Sequence, residues 1–382
     1  MNFAKFNFIV KNFFLDSKVL NITQVNSGLI NKTYIVEHLY NGIKSKFILQ
    51  SLSHIFNSHE IVNMNHKLIT DHIKKNKVYL NFDFKRWEAP YLIRCKSNNL
   101  FVFPYESTYW RAMVYIDEAF SLDFLQDQGM AYQVGLGLAK FHFLCSDLDP
   151  SRLGNSINNF HNTRYYLNQY ILTIKEYDFN KLDYELRIRI EYLIRYLSFH
   201  IKYVDSLFTT LSKTSMKKVV IHGDPKLSNF LFNMKYKYVV SLIDLDTVTS
   251  GYLLTDLADC IRSISNLVGE DPKDKENVSF DINSCKYFIS GYLSLNNNHS
   301  FSFLPEFIYL IIFELVIRFL TDFLRSNRYF QVKYETHNLF RAEVQYKLLS
   351  SFISQIPDFS NELEEIGISS RSTFVSDVQK LI

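Results

Sequence analysis

The sequence predicts an α+β fold with a small antiparallel-sheet N-terminal lobe and a large, mainly helical C-terminal lobe. Residues 20–50 consist of strand-like runs separated by polar turns, whereas from residue 131 onward apolar side chains recur at helical spacing. A short island of strand-like runs at residues 219–243 interrupts these helices. The pattern changes near residues 114–119, which predicts a hinge there between lobes at 1–115 and 116–382.

Each predicted element rests on a local pattern. Strands of the N-terminal lobe are predicted at residues 20–25, 33–36, 47–49 and 110–116, and a helix at 61–73. Helices of the C-terminal lobe are predicted at residues 131–144, 162–174, 181–211 and 307–320, with another beginning near Thr255.

Composition restricts the class of protein. The chain has 382 residues, of which 47% are hydrophobic, enough for one large domain or two lobes with a sizeable core. Lys and Arg number 42 against 39 acids, and the charges are scattered, which argues against nucleic acid as a partner. Four cysteines lie far apart without a C-x-x-C pair, which argues against zinc and disulfides and favours a reducing, cytoplasmic setting.

The apolar segments do not predict a membrane partner. The run 307–320 contains Glu314 and Arg318 and is shorter than the roughly 20 apolar residues that a spanning helix needs, so it is predicted to be a buried helix. The phenylalanine-rich start, residues 1–15, is interrupted by lysine and asparagine and lacks the apolar region of a signal peptide.

Three apolar runs in the island each end at a polar residue, and these residues form the candidate site. The runs lead to His222-Gly223-Asp224, to the neighbourhood of Asn229, and to Asp244. A hairpin turning at residues 234–237 would place Asn229 opposite Asp244, where paired Cβ atoms are about 4.5–5.5 Å apart. An amide oxygen and a carboxylate so placed are suitable ligands for Mg²⁺.

Asp224 precedes Asn229 by five residues, the spacing of a kinase catalytic loop, in which the aspartate accepts the proton of the attacking hydroxyl. Lys226 would place positive charge beside the transferred phosphoryl group. The alternative for each of these residues alone is a turn or cap residue, or a solvated lysine. His222 is predicted to anchor the loop through hydrogen bonds.

At these residues the sequence resembles the aminoglycoside phosphotransferase and choline kinase superfamily, and within it most of all the N-acetylhexosamine 1-kinases. The resemblance covers roughly residues 20–350 and includes the blocks at residues 27–34, 47–50, 109–111, 160–163, 243–262, 318–322 and 329–339. It implies a bilobal, protein-kinase-like fold and a kinase that uses Mg²⁺ with ATP.

The resemblance implies a role for each matching residue. Asp224 would be the catalytic base, Asn229 and Asp244 would hold Mg²⁺, and Asp256 would brace the catalytic loop. Asp246 is the alternative metal ligand if the hairpin register is shifted by two. The implied nucleotide contacts are Ser27, Gly28, Asn31, Thr33, Gln50 and, at the hinge, Tyr115.

Three residues of the helical lobe are candidates for binding a substrate. Arg318 and Asp322 lie one helical turn apart, so they form either a structural ion pair or a pair that binds sugar hydroxyls. His161 is either a substrate contact or a packed core histidine.

Two residues depart from the family pattern. Gln50 stands where related kinases often have a phosphate-binding lysine, so Lys226, Lys46 or the metal would have to supply that charge, or the nucleotide is not ATP. Gly223 stands where the hexosamine kinases often have asparagine, so the sugar could differ from theirs.

The leading hypothesis is a kinase that transfers the γ-phosphoryl group of ATP to a small hydroxylated substrate, in the first place the anomeric hydroxyl of a hexose or N-acetylhexosamine. One alternative is a kinase of another alcohol, such as choline, a thioribose or an aminoglycoside. The other is a catalytically dead kinase-fold binding module, which Gln50 brings into consideration.

Overall fold

A computed structural model of the protein describes residues 3–25, 28, 30–79, 86–296 and 301–368. The helices of this part of the chain are α1 (Phe3–Phe13), α2 (His59–Tyr79), α3 (Gln128–Leu144), α4 (Thr163–Glu176), α5 (Tyr184–Leu211), α6 (Leu253–Ser265), α7 (Ile282–Leu293), α8 (Leu304–Leu324), α9 (His337–Ser354) and α10 (Ile356–Glu365). The strands are β1 (Lys18–Val25), β2 (Lys32–Tyr40), β3 (Ile43–Leu52), β4 (Leu92–Ile93), β5 (Phe103–Tyr105), β6 (Thr108–Val114), β7 (Ala119–Phe120), β8 (Lys218–Ile221), β9 (Phe230–Asn233), β10 (Val239–Leu242) and β11 (Thr249–Tyr252). The predicted α+β class is confirmed.

The N-terminal strands form one antiparallel sheet in the order β1-β2-β3-β6-β4, with β5 also paired to β6. Helix α1 covers one face of this sheet with Phe6, Ile9, Val10 and Phe13, all of which are buried. Residues i and i+2 of a strand share one face of the sheet, and the alternation of residues between the two faces is the sequence pattern that predicts strands. Directly across the central strands, Thr33 pairs with Gln50 and Gln50 with Arg111.

The sheet of the N-terminal lobe ends with β6 at Val114, and the next strand, β7, pairs with β9 in a different sheet. The remaining short strands form the predicted island: β10-β9-β7 is one sheet, and β8 pairs with β11 in another. The island therefore lies among helices and next to the segment that leaves the first sheet.

Helix α8 is the central helix of the C-terminal lobe and packs against α4, α6 and α9. Nearly all of its side chains are buried, because it is apolar on every face, as a core helix should be. It extends three to four residues beyond each end of the predicted run and carries Glu314, Arg318 and Asp322. None of the described helices is long and apolar enough to cross a membrane.

The predicted hairpin register was wrong by one residue. In the structure Leu242 pairs with Phe230 and Ser241 with Leu231, so the amide of Ile243, not Asp244, reaches the carbonyl of Asn229 at 2.9 Å. The pairing nearest the turn, Val239 with Phe232, differs from the predicted register by two residues, and a register irregularity between Val239 and Ser241 reduces this difference to one. The four cysteines, Cys95, Cys145, Cys260 and Cys285, are buried and free, as predicted.

Candidate active site

The loop that follows β8 is held by one buried carboxylate. Asp256, in the first turn of α6, accepts hydrogen bonds from the backbone N–H groups of His222 at 2.6 Å and Gly223 at 2.8 Å. It also contacts His142 Nε2 at 2.9 Å. Burial alone would raise the pKa of Asp256, but His142, His222 and the backbone donors lower it below its ordinary value. The loop is therefore anchored to a charged carboxylate at the start of a helix.

Helix α6 begins earlier than the sequence predicted. We expected a helix beginning near Thr255, but α6 begins at Leu253, and its cap residue Tyr252 makes no side-chain cap hydrogen bond. The Asp256 carboxylate therefore does more than interact with the N-terminal end of α6, because its oxygens also accept hydrogen bonds from the loop at His222 and Gly223.

His222 links the loop to the end of the β9–β10 hairpin. Its Nδ1 accepts a hydrogen bond from the Asp224 amide at 3.3 Å, so Nε2 carries the proton and donates to the Ile243 carbonyl at 3.0 Å. Burial lowers the pKa of His222, which keeps the ring neutral and stable in this tautomer. His222 is thus a loop anchor, which is the role predicted for it.

Gly223 is required by its local backbone. Its φ of 87° lies in the left-handed region, and a Cβ atom there would lie 2.5 Å from the Thr247 carbonyl oxygen. Thr247 Oγ1 in turn donates to the His222 carbonyl at 3.0 Å. The close approach of these two loops therefore accounts for the glycine without reference to the identity of any substrate.

Asp224, Lys226 and Asn229 are brought together by this loop. Lys226 Nζ lies 3.0 Å from Asp224 Oδ2, and Asn229 Nδ2 donates to the Asp224 carbonyl at 2.7 Å. The Asp224 side chain is 28% exposed, whereas Lys226 is nearly buried. Burial alone would lower the pKa of Lys226, but Asp224 and the neighbouring acids Glu270 and Asp244 raise it. Lys226 is therefore a charged partner of Asp224, not a solvated surface lysine.

Asp244 and Asp246 differ in how far their carboxylates are already engaged. Asp244 has a left-handed backbone, with φ 65° and ψ 58°, an uncommon conformation for a residue other than glycine. Within the described part of the chain no hydrogen bond or ion pair engages its carboxylate. Its pKa is raised to about 7 by burial and by Asp246 and Asp224, against the opposing charges of Lys226 and Arg111.

The carboxylate of Asp246, by contrast, is buried and occupied. Asn31 Nδ2 donates to Asp246 Oδ2 at 2.6 Å, and Arg111 Nη2 lies 2.5 Å from Asp246 Oδ1. The predicted metal ligand Asp246 thus connects the β1–β2 turn and strand β6 to the island. Asn229 turns its amide nitrogen towards Asp224, which leaves its oxygen Oδ1 and the Asp244 carboxylate as the groups able to receive a cation.

Arg111 is the functional residue that sequence reasoning missed. Its Nε and Nη2 donate to Gln50 Oε1 at 2.9 and 2.6 Å, and Gln50 Nε2 donates to Thr33 Oγ1 at 2.9 Å. The guanidinium is fully buried. Gln50 carries no charge, so the positive charge at this place in the sheet is that of Arg111 on the neighbouring strand β6. The sequence did contain a signal, because Arg111 is a charged residue within an otherwise apolar strand.

The other predicted nucleotide-binding residues are placed as follows. Gly28 lies beside Asn31, whose carbonyl oxygen would be 3.1 Å from a Cβ at the glycine. Asn31 itself is engaged, because its Oδ1 also accepts from the Ser53 amide at 2.9 Å. Tyr115, just after β6, lies 5.5 Å below Lys46 Nζ, measured to the ring centroid. Ser27 lies outside the described residues.

Lys46, one of the groups considered as a replacement for the missing lysine, pairs elsewhere. It lies 3.9 Å from Glu37, the residue directly across β2 and β3, four residues along the strand from Gln50. Of the side chains considered for that charge, only Lys226 lies beside Asp224.

The three predicted substrate residues form two structural connections. His161 Nε2 hydrogen-bonds the Gly223 carbonyl, and its Nδ1 lies 3.6 Å from Glu314 Oε1. Burial would lower the pKa of His161, but Glu314 raises it. Arg318 pairs with Glu314 at 3.3 Å, so the predicted alternative of an Arg318–Asp322 ion pair was wrong.

Asp322 has a different task. Its oxygens accept from the backbone amides of Arg328 at 2.9 Å, Tyr329 at 2.8 Å and Phe330 at 2.9 Å, and from Asn338 Nδ2 at 2.9 Å. The Asp322 carboxylate therefore holds the segment after α8 in place, and both of its oxygens serve as acceptors in doing so.

A pocket of about 430 Å³ opens beside this cluster. Its walls come from the segment after β3, from α4, from α8 and from the segment that Asp322 fixes; they include His54, Tyr165, Tyr166, Arg318, Arg325, Arg328 and Tyr329. Burial would lower the pKa of Arg318, but Tyr166, Tyr329, Glu314 and Asp224 raise it. Asp224 is thus within electrostatic range of the pocket wall.

A larger cleft, of about 980 Å³, is lined by Gly28, Asn31, Lys32, Ser228 and the segment 268–273, among others. The arrangement therefore offers two concave sites, one next to the β1–β2 turn and one next to Arg318.

Comparison with known proteins agrees with this geometry. Residues 100–277 match the model of the phosphotransferase enzyme family. The matched segment contains Asp224, Asn229, Asp244 and Asp256, whereas Asn31, Gln50 and Arg318 lie outside it.

Solved structures with the same fold extend over most of the chain. An amicoumacin kinase in complex with AMP-PNP, Ca²⁺ and Ami is 12% identical, with a TM-score of 0.58 over 91% of this chain and 94% of that one. A microcompartment-associated aminopropanol kinase is 13% identical, with a TM-score of 0.56 over 92% and 98%. A spectinomycin phosphotransferase in complex with ADP and spectinomycin is 14% identical, with a TM-score of 0.54 over 88% and 91%.

At these identities the structural likeness establishes the fold alone, which is kinase-like, as predicted. The narrower resemblance to N-acetylhexosamine 1-kinases is a hypothesis that these comparisons do not support. Residues 100–277, which include the loop held by Asp256, are thus similar to the phosphotransferase enzyme family, and the chain as a whole has a kinase-like fold.

Proposed function

We propose that the protein transfers the γ-phosphoryl group of ATP to a hydroxyl of a small acceptor, in the first place the anomeric hydroxyl of a hexose or N-acetylhexosamine. One observation carries this proposal. Asp224 is a partly exposed carboxylate on a loop that Asp256 holds in place; it lies 3.0 Å from Lys226, and its charge acts on Arg318 in the pocket wall. A base that must reach a substrate hydroxyl needs this combination of fixed position and access.

In this proposal Asp224 orients the acceptor hydroxyl and receives its proton as the phosphoryl group is transferred. Lys226 lies 3.0 Å from that carboxylate and would stabilise the negative charge on the phosphoryl oxygens. Phosphoryl transfer asks mainly for positioning and charge stabilisation, and the Asp256 contacts supply the positioning.

Asn229 and Asp244 are the residues that would hold Mg²⁺. The Asp244 carboxylate fits a cation, because it lacks a partner within the described chain and its pKa is raised to about 7 by burial and two neighbouring acids. When bound, Mg²⁺ would neutralise charge on the nucleotide phosphates. Asp246 fits this role less well, since Asn31 and Arg111 already engage it.

The nucleotide would occupy the cleft next to Gly28 and Asn31, and the acceptor the pocket next to Arg318. Gln50 brings no charge to this side of the cleft, and the charge of its neighbour Arg111 is paired with Asp246. Kinases in this fold family act on chemically diverse acceptors, among them an antibiotic and an aminopropanol in the matched structures. The acceptor must therefore be identified experimentally.

The proposal is tested by screening the purified protein with Mg·ATP against hexoses, hexosamines, pentoses and amino alcohols and measuring ADP release. Asp224→Ala should lower the rate by about 10²-fold to 10⁴-fold, the usual contribution of a general base. The control is Asp205→Ala, which removes an exposed carboxylate from α5. Nucleotide binding, measured as thermal stabilisation by Mg·ADP, should be the same in both variants.

Two results would contradict the proposal. The first is full ADP release by Asp224→Ala with an acceptor that the wild type uses. The second is a wild-type protein that neither Mg·ATP nor Mg·ADP stabilises at millimolar concentration, which would indicate a binding module with this fold.

A further inference from the structure

The pocket beside Arg318 carries an excess of positive charge. Among the described residues that line it, Arg318, Arg325 and Arg328 are the strongly basic groups and Asp322 is the one acid. The kinases whose acceptors are amines need the opposite arrangement, in which carboxylates or open aromatic faces receive a cation.

Asp322 cannot receive a cationic acceptor. Each of its two oxygens accepts two hydrogen bonds, three in total from backbone amides and one from Asn338, at 2.8 to 2.9 Å. An amine in the pocket would have to displace a donor that holds the segment after α8 in place. The one carboxylate that the described residues contribute to the pocket wall therefore serves to hold the segment after α8.

The rings of Tyr166 and Tyr329 in the pocket wall are already in contact with a cation. The Arg318 guanidinium lies 4.5 Å from the ring centroid of Tyr166 and 5.4 Å from that of Tyr329, and Nη2 donates to the Tyr329 hydroxyl at 3.3 Å. A quaternary ammonium group, which binds on such faces, would compete with a charge that is already there.

Arg325 and Arg328 are the unengaged charges. Both are exposed, and none of the hydrogen bonds or ion pairs between described side chains involves either guanidinium. Arg325 ends α8, where the helix dipole favours a cation in any case. The helix dipole does not account for the position of Arg328, which lines the same pocket from the segment that Asp322 holds in place.

We infer that the acceptor carries an oxyanion in addition to the hydroxyl that is phosphorylated, and that Arg328, supported by Arg325 and Arg318, binds it. This inference rests on the proposed function, because it names the class of acceptor for the same site: it replaces the neutral hexose of that proposal by an acidic or phosphorylated hexose. A guanidinium binds a carboxylate or a phosphate through two parallel hydrogen bonds, and either group would have the required chemistry.

The experiment measures binding, so that it does not depend on turnover. The wild type, saturated with Mg·AMP-PNP, is titrated calorimetrically with galactose, galacturonate, galactosamine and galactose 6-phosphate, and with the corresponding glucose series. We expect an acid or a phosphate ester to bind about tenfold or more tightly than its neutral parent, the effect of one charge-assisted hydrogen bond. Which of the two anions binds identifies the source of the oxyanion.

Substitution of the arginines then locates the interaction. Arg328→Gln should weaken binding of the anionic ligand about tenfold and leave the neutral parent unchanged, and Arg325→Gln should have a smaller effect in the same direction. Arg195→Gln is the matched control, because it removes an exposed guanidinium from α5, outside the pocket. Added salt should weaken binding of the anion to the wild type more than to Arg328→Gln.

The inference is overturned if a neutral or amino sugar binds as tightly as the acid, if no member of the panel binds, or if Arg328→Gln leaves the affinity unchanged. Its failure differs from failure of the proposed function. Arginine-dependent binding of an anion without any ADP release from Mg·ATP would refute the kinase proposal alone. Phosphorylation of a neutral hexose that is insensitive to Arg328→Gln would refute this inference alone.

Discussion

Replacement of Arg111 by methionine, which keeps most of the side-chain volume and removes the charge, should destabilise the protein strongly. The guanidinium is fully buried and is the partner of Asp246, itself only 3% exposed, at 2.5 Å. Without it, Asp246 would keep the single amide donor Asn31. Removing one member of a buried ion pair typically costs about 3–5 kcal/mol, because the other charge is left uncompensated.

A second substitution separates the free-energy cost of the unpaired charge from the cost of lost packing. Asp246→Asn in the Arg111→Met background removes the unpaired charge, so the double variant should be more stable than Arg111→Met alone. The free energy of unfolding of the four proteins, from urea titrations with the slope compared, gives the interaction energy. We expect a coupling of about 1–3 kcal/mol, the range found for contacting residues.

The control is Lys44→Met on β3, which removes an exposed member of a surface ion pair with Glu37 and should leave the urea midpoint unchanged. The reasoning would be refuted if Arg111→Met lowered the free energy of unfolding by less than about 1 kcal/mol, the average effect of an arbitrary substitution. Additive effects of the two substitutions would also refute it.

The remaining predictions concern the loop and the acid stability of the helical lobe. Gly223→Ala should lower stability by about 1–3 kcal/mol, because the residue has a φ of 87° and its Cβ would lie 2.5 Å from the Thr247 carbonyl; a thermal midpoint equal to that of the wild type would contradict this. Asp271 is partly buried, which would raise its pKa, but Arg341 and its other basic neighbours lower the pKa to about 2 from 3.8. Its stabilising effect should be complete above pH 3.8 and be lost as the pH falls towards 2, so urea midpoints of Asp271→Asn should fall less over that interval than those of the wild type.

The fold was predictable because its signals are local. Alternation along residues 33–36 and 47–49 lies within β2 and β3, and the all-round apolar run at 307–320 lies within α8. Errors were concentrated at element ends, where α6 begins two residues before Thr255 and α8 extends beyond the apolar run. The reason is that capping depends on neighbours in space, and Asp256 is held by the loop as well as by its helix.

The site was predictable only in part, because hairpin pairing and buried charge depend on distant contacts. A register irregularity between Val239 and Ser241 moved Asn229 opposite Ile243, and no sequence pattern in the hairpin indicated it. The assignment of metal ligands stays a prediction, although the structure distinguishes Asp246, which Asn31 and Arg111 engage, from Asp244, whose carboxylate has no partner among the described residues.

The sequence by itself determined the α+β class, the order of sheet and helices, and the spacing of Asp224 and Asn229, because each of these depends on neighbouring residues. Only the tertiary structure decided the partners of the buried charges. Arg111 meets Asp246, and His161 meets both Gly223 and Glu314, across large separations in sequence. A buried charge must find a partner wherever the fold brings one, and so its partner is a property of the whole fold.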